Sequence, residues 1–244
     1  MFEVFGVPSQ ALFGQLLLGL INGSFYALLS LGLAVIFGML NIINFTHGAQ
    51  YMMGAFAAYF LLNGFDLPTL QFSHAAGASW LPAIGSVHID PGLSYWWALI
   101  IVPIVIGITG IIVERLFLKH LRKLDPLYGL LLTFGLAIVI EGLFRNGYGS
   151  SGLPYQVPSA LAGGRNLGFM FLPNYRAWVI VLSLAVCFAT WFAIERTRLG
   201  SYLRAATENP VLVRAFGINV PRMVTITYGF GVALAGLAGV MAAP

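Results

Sequence analysis

A 244-residue chain with 59% hydrophobic residues, 8% charged residues and a mean hydropathy of +0.89 has more apolar surface than a soluble fold could hide, since soluble domains carry about 25% charged residues. The net charge of +4 comes from arginines and lysines flanking apolar runs, which excludes nucleic acid as a partner and places the chain in lipid as an all-α, polytopic bundle of about six transmembrane helices. The 29 glycines suit close helix–helix approach. The single Cys187 excludes a disulfide framework or a cysteine-based metal site, and its place in an apolar run marks it as a small core residue.

The first eleven residues contain no Lys or Arg, and the apolar run after them is too long for a signal-peptide core. Residues 11–40 carry no charge, and the apolar pattern resumes from 48 to 62. A crossing helix needs about 20 residues, so the spacing predicts one span at 11–31 and a second, interrupted span at 33–62. Residues 63–94 are predicted to be a loop, rich in Gly, Pro and Ser. Trp96 and Trp97 then mark an interface, and a span runs to Val113. A basic patch follows (Arg115, Lys119, Arg122 and Lys123), and Pro126 opens a span ending near Phe144. A Pro/Gly-rich loop covers 145–176, and the last spans are expected at 177–194 and 223–241. Segments 114–126 and 195–222 hold nine of the twelve Lys and Arg residues. The positive-inside rule therefore places both in the cytoplasm and the loops 63–94 and 145–176 outside.

Asn41, Asn44, Thr46, His47 and Gly48 interrupt the apolar run within eight residues. Unpaired polar groups facing lipid cost several kcal/mol each. One reading is an unwound point in a discontinuous helix beside a translocation path; the other is a cytoplasmic turn between two spans. Asn22 and Ser24 are expected to bond across helices, and Tyr26, Gly32 and Gly38 to be packing positions. Glu141 stands four residues before Arg145, the spacing of a helical ion pair. Glu114–Arg115 and Glu195–Arg196 read as cytoplasmic helix ends.

The segment 196–222 carries five of the twelve basic residues. Asn209 is a good N-cap, Pro210 fits the first helical position, and Gly217 is placed to stop the helix after Phe216. The pattern predicts a helix of about two turns, with Leu212, Val213 and Phe216 on one face and Arg214 on another. It would dock on a cytoplasmic partner or lie on anionic lipid. No phosphate-binding Gly-Lys-Ser/Thr loop, HExxH motif or Ser/His/Asp set is present. The chain is thus read as a non-enzyme that binds no cofactor of its own; ATP, if used, is used by partner subunits.

The stretch GLAVIFGMLNIINFTHGAQYMMGAF resembles the N-terminal signature of the high-affinity branched-chain amino acid ABC transporter permeases (the H-type membrane subunit). The stretch RLGSYLRAATENPVLVRAFGINVPRMVTITYGFGVALAGLAGV resembles their cytoplasmic coupling loop and the span after it. The resemblance covers essentially the whole chain, and urea and short-amide permeases share both signatures. It implies that Asn41–Gly48 lies at a helix break near the path, and that Arg204, Ala205, Ala206 and the segment through Gly217 couple to a cytoplasmic ATPase. Arg204 stands where the usual Glu-Ala-Ala form has its acid. The implied partners are a second permease subunit, ATPase subunits and a periplasmic amino-acid-binding protein, in a bacterial inner membrane. Family members continue past the position of Pro244, so the resemblance also implies a permease domain incomplete at its C-terminus. Two other functions compete: an ion- or proton-coupled carrier using Glu141 and His47, and an inactive truncated scaffold.

Overall fold

The computed structural model describes residues 3–4, 7–40, 42–71, 83–121 and 124–244. Five helices among them are long and apolar enough to cross a membrane, which makes the protein a multi-pass, all-α membrane bundle. The chain opens with a two-residue pairing of β1 (Glu3–Val4) and β2 (Val7–Pro8), followed by α1 (Ser9–Leu40) and α2 (His47–Asn63). An antiparallel hairpin of β3 (Phe65–Gln71) and β4 (Ala83–Ile89) leads to α3 (Tyr95–Val113), which continues through a π-helical turn (Glu114–Leu118) into α4 (Lys119–Leu121). Next come α5 (Pro126–Tyr148), the short pair β5 (Gly164–Asn166) and β6 (Phe171–Pro173), and α6 (Asn174–Arg196). The shorter helices α7 (Arg198–Glu208) and α8 (Pro210–Ala215) precede the last long helix, α9 (Val220–Ala242).

The core is built around α9, which packs against α1, α2 and α3. In its membrane-length window 67% of residues are buried, against 6% for α5. Glycine makes this possible, because lipid supplies no hydrophobic drive between helices and close backbone packing must take its place. A methyl group added at Gly54 would sit 2.5 Å from the Gly236 carbonyl oxygen, and one at Gly236 would sit 2.9 Å from Ile106 Cβ. At Gly32 it would strike the Gly231 carbonyl. The apolar remainder of the core is Leu28, Ile36, Val102, Ile106, Val179 and Val232.

Four expectations are corrected. Residues 33–40 belong to α1, which runs unbroken to Leu40; Gly32 packs against Gly231 of α9, as a packing position should. The segment 63–94 contains a β-hairpin rather than loop alone. The helix expected to stop at Val113 continues, so Arg115 and Lys119 lie on helix, while Arg122 and Lys123 fall outside the described residues. Glu114 is not an exposed helix end: it is fully buried, and Thr225 Oγ1 donates to its Oε2 at 2.6 Å. Cys187 is half-buried on α6.

Gly54→Val should destabilise the bundle by about 1–3 kcal/mol, as overpacking does, and lower the thermal midpoint of the detergent-solubilised protein. Gly14→Ala, where a methyl would meet nothing within 4 Å, should leave the midpoint unchanged.

Candidate functional site

The chain turns at the end of α1 and comes back into the bundle before becoming helical again. His47, the first residue of α2, has its Nε2 2.9 Å from the Leu29 carbonyl. Leu29 lies eleven residues, about 16 Å, before the end of α1. The His47 ring also lies against Gly32, whose other neighbour is Gly231 at the middle of α9. The His47 ring is therefore level with the centre of the most buried helix, and the non-helical residues 44–46 lead into it, while Ile42 and Ile43 lie nearer the end of the bundle beside Leu121, Leu124 and Pro126. This geometry suits the discontinuous-helix reading.

Such backbone needs internal partners, since the bilayer offers none. Thr133, on α5, supplies several. Its hydroxyl accepts from Phe45 N–H at 3.3 Å, and its carbonyl accepts from Thr46 Oγ1 at 3.1 Å. Asn44 supplies the rest: its Oδ1 accepts from Thr46 N–H and its Nδ2 donates to Gln50 Oε1, both at 3.1 Å. Gln50 in turn lies beside the Tyr228 hydroxyl on α9. Asn44, Thr46, His47, Gln50 and Thr133 are all buried. Phe45 points outward and meets Phe134 edge-on at 6.2 Å.

Between this segment and α1 lies a cleft of about 530 Å³. Small residues of α1 form one wall (Gly23, Ala27 and Ser30) with Tyr26 projecting beside them, and Asn44, His47 and Gly48 form the other. A methyl group at Gly23 or Gly48 would meet nothing within 4 Å. With Nε2 committed to Leu29, His47 keeps Nδ1 buried and unpaired. The cleft thus offers a polar, hydrogen-bonding wall facing small apolar residues at mid-bundle depth.

The other predicted residues divide. Ser24 is buried, but its hydroxyl donates to Leu20 in its own helix, and its carbonyl accepts from Ser183 of α6 at 2.7 Å. Asn22 is exposed on α1, and neither residue bonds the 42–48 segment among the described residues. Asn41 lies outside the described residues. Gln50, Thr133 and Tyr228 were missed. Gln50 follows Thr46 by one helical turn, and Thr133 is the one hydroxyl residue among the apolar side chains of 129–140, so both had a signal. Tyr228 had none. Glu141 and Arg145 form the anticipated ion pair at 2.6 Å; exposed pairs at this spacing contribute about 0.3–0.5 kcal/mol.

At the end of α6, Arg204 Nη1 donates to the Ile194 carbonyl at 2.8 Å and stands 3.4 Å from Glu195 Oε2, fixing the α6–α7 corner. Ala205 is exposed and Ala206 half-buried. Thr207 ties α7 to the end of α1 through the Met39 carbonyl at 2.8 Å. Asn209 caps α8 by accepting from Leu212 N–H, and Gly217 ends the turn at φ +81°. Val213 is buried, whereas Leu212 and Phe216 are exposed together with Val211; α8 ends at Ala215, one residue before the expected stop.

Thr133→Val should leave Phe45 N–H without its hydroxyl acceptor, at a cost of about 1–3 kcal/mol. Thr133→Ser should restore most of that stability. Thermal denaturation of the purified protein in detergent measures both.

A sequence model of the family described as branched-chain amino acid transport system / permease component matches residues 15–244. The high-affinity branched-chain amino acid transport system permease protein BraD of Pseudomonas aeruginosa is 27% identical over 235 residues, covering 93% of this chain and 69% of the relative. The corresponding LivH protein of Escherichia coli K12 is 25% identical over 234 residues, with the same coverage. A probable LivH of Methanocaldococcus jannaschii is 25% identical over 229 residues, covering 90% of this chain and 62% of that protein. No solved structure matches. On the strength of a match that spans nearly its whole length, the chain belongs to the branched-chain amino acid transport system permease family.

Proposed function

We propose that the chain is the membrane subunit of an ABC importer that moves branched-chain or related small amino acids inward across a bacterial inner membrane. In this reading it pairs with a second permease subunit and is driven by separate cytoplasmic ATPase subunits, which use the ATP. A periplasmic amino-acid-binding protein feeds it. The observation that carries the reading is the unwound 44–46 segment leading into His47 at mid-bundle depth, its polar groups facing a cleft walled by small residues. An open position of this kind suits a small polar solute in passage, because irregular backbone at membrane depth is tolerated where it lines a cavity.

The coupling residues have a matching arrangement. Val213 anchors α8 to the body, while Val211, Leu212 and Phe216 stand out from it beside Arg214. An exposed apolar knob on a capped helix fits a partner's groove. The ion-coupled alternative draws no support from its two chosen groups. Glu141 is already paired with Arg145, and His47 Nε2 is committed to the Leu29 carbonyl.

The test is reconstitution in liposomes with the ATPase subunits and binding protein encoded beside the chain. ATP-dependent leucine uptake that vanishes without either partner is expected; uptake by this chain alone, following a proton or sodium gradient, would establish the carrier instead. Leu212→Asp and Phe216→Asp should each reduce co-purification of the ATPase at least tenfold, with Arg214→Glu weakening it less. Unchanged pull-down in all three variants would place the contact elsewhere or lay the helix on lipid.

A further inference from the structure

A second cavity, of about 330 Å³, opens at the end of the bundle away from the basic helices α7 and α8. Small-molecule sites span about 300–1,000 Å³. It lies between the outer half of α2, the last turns of α5 and the loop that follows α5. One wall is aromatic, with Phe56, Tyr59 and Phe144. That wall is fixed by its own packing: the Phe56 and Phe144 centroids are 4.6 Å apart, and Tyr148 stacks against Phe56 at 5.4 Å and Phe60 at 5.2 Å. The same stretch of α5 that carries Phe144 also brings one carboxylate and one guanidinium, Glu141 and Arg145, to the cavity. The floor includes Tyr155, whose hydroxyl is buried and has no hydrogen-bond partner among the described residues. Burial pushes its phenol up to about 12, so near neutral pH it is a protonated donor.

We propose that this cavity takes the backbone of a free, zwitterionic α-amino acid whose side chain is apolar, at the outer mouth of the transporter. The assignment rests on the amino-acid permease reading given above and adds to it a residue-level site distinct from the mid-bundle cleft. Its charges sum to zero, so a net-neutral ligand leaves neither unpaired. The ammonium of an amino acid pairs with Glu141, and its carboxylate with Arg145, so that one exposed ion pair is exchanged for two. The existing pair is held only by an i,i+4 contact between half-exposed side chains, which resists that exchange weakly. The Tyr155 hydroxyl supplies a further donor for the carboxylate, and the aromatic wall takes the side chain. An amine lacking the carboxylate, or an acid lacking the ammonium, would break the Glu141–Arg145 pair and leave one partner alone. Met52 and Ala55 of this cavity lie five and eight residues beyond His47 on α2, about 8–12 Å along the helix. The two sites therefore lie at different heights along α2, one against α1 and the other against α5.

The experiment uses the chain purified with its ATPase subunits and without binding protein, and measures equilibrium binding of radiolabelled leucine. Leucinamide and N-acetylleucine should compete at least tenfold more weakly than unlabelled leucine. Glu141→Gln and Arg145→Gln should each weaken leucine binding at least tenfold. Glu141→Gln should also erase most of the preference over N-acetylleucine, and Arg145→Gln most of that over leucinamide. A wild-type complex that imports leucine in liposomes yet binds none, or binding that is unchanged in both variants, overturns this site and leaves the permease reading standing. A complete system that imports no amino acid removes both.

Discussion

The constraint on which the structure depends is that backbone amides and carbonyls inside a bilayer must find partners within the protein. Ordinary helices meet it automatically. The stretch at 42–46 does not, and the protein meets the requirement there with side chains rather than with helix. Thr133 presents a hydroxyl and a carbonyl to two consecutive residues, and Asn44 folds back on Thr46 while reaching Gln50. Each of these bonds is modest, roughly 1 kcal/mol net, but leaving any of the buried groups without a partner costs more than the bond contributes. That asymmetry explains why the polar residues of this region form a connected set across α2, α5 and α9 rather than a scatter.

A re-entrant segment also needs space, and the glycines of α9 provide it. With Gly231, Gly236 and Gly239 against Gly32, Gly54 and the backbone of Tyr51, α1 and α2 are drawn onto α9 to near backbone contact. The same closeness seats His47 beside Gly32. A larger residue at Gly32 would clash with both the imidazole and the Gly231 carbonyl and force them away from α1, so the site and the helix seam are one piece of packing. By contrast α5 is held mainly by the Thr133 bonds and by the aromatic contacts of Phe144 and Tyr148 with α2. The rest of its surface is exposed apolar side chains, Leu131, Ile138 and Leu143 among them.

Much of this was legible in the sequence. The polar cluster from Asn41 to Gly48 marked an interruption of the apolar run, because those residue types are costly in lipid unless the backbone around them is irregular, but left open whether it was a break or a turn. Asn209 and Pro210 placed the start of α8, since capping is local chemistry. Tertiary features were less visible. Residue 33 looked like the start of a second span because length alone divided the apolar run, although Gly32 was legible as a packing position. Glu114 read as a helix end because a buried carboxylate is rare; its burial depends on a π-helical turn and on Thr225, more than a hundred residues away.

The arrangement links the α7–α8 end of the molecule to the mid-bundle cleft through α1. Near the end of α1 the Met39 carbonyl receives the Thr207 hydroxyl of α7; ten residues earlier, the Leu29 carbonyl receives His47. Between them the chain is continuous helix, about 15 Å long, with Ile36 and Val35 buried against the core. A rigid rod bonded at one end to the α7–α8 corner and at the other to the first residue of α2 cannot be displaced at one end alone. Any movement imposed on α7 must stretch the Thr207 bond, slide α1 along its glycine contact with α9, or shift the His47 contact that lines the cleft. The glycine contact is backbone against backbone and has little slack, since packed interfaces hold discrete arrangements rather than deform continuously. The polar contacts at Thr207 and His47 are then where motion concentrates, and the second of them is in the wall of the cleft.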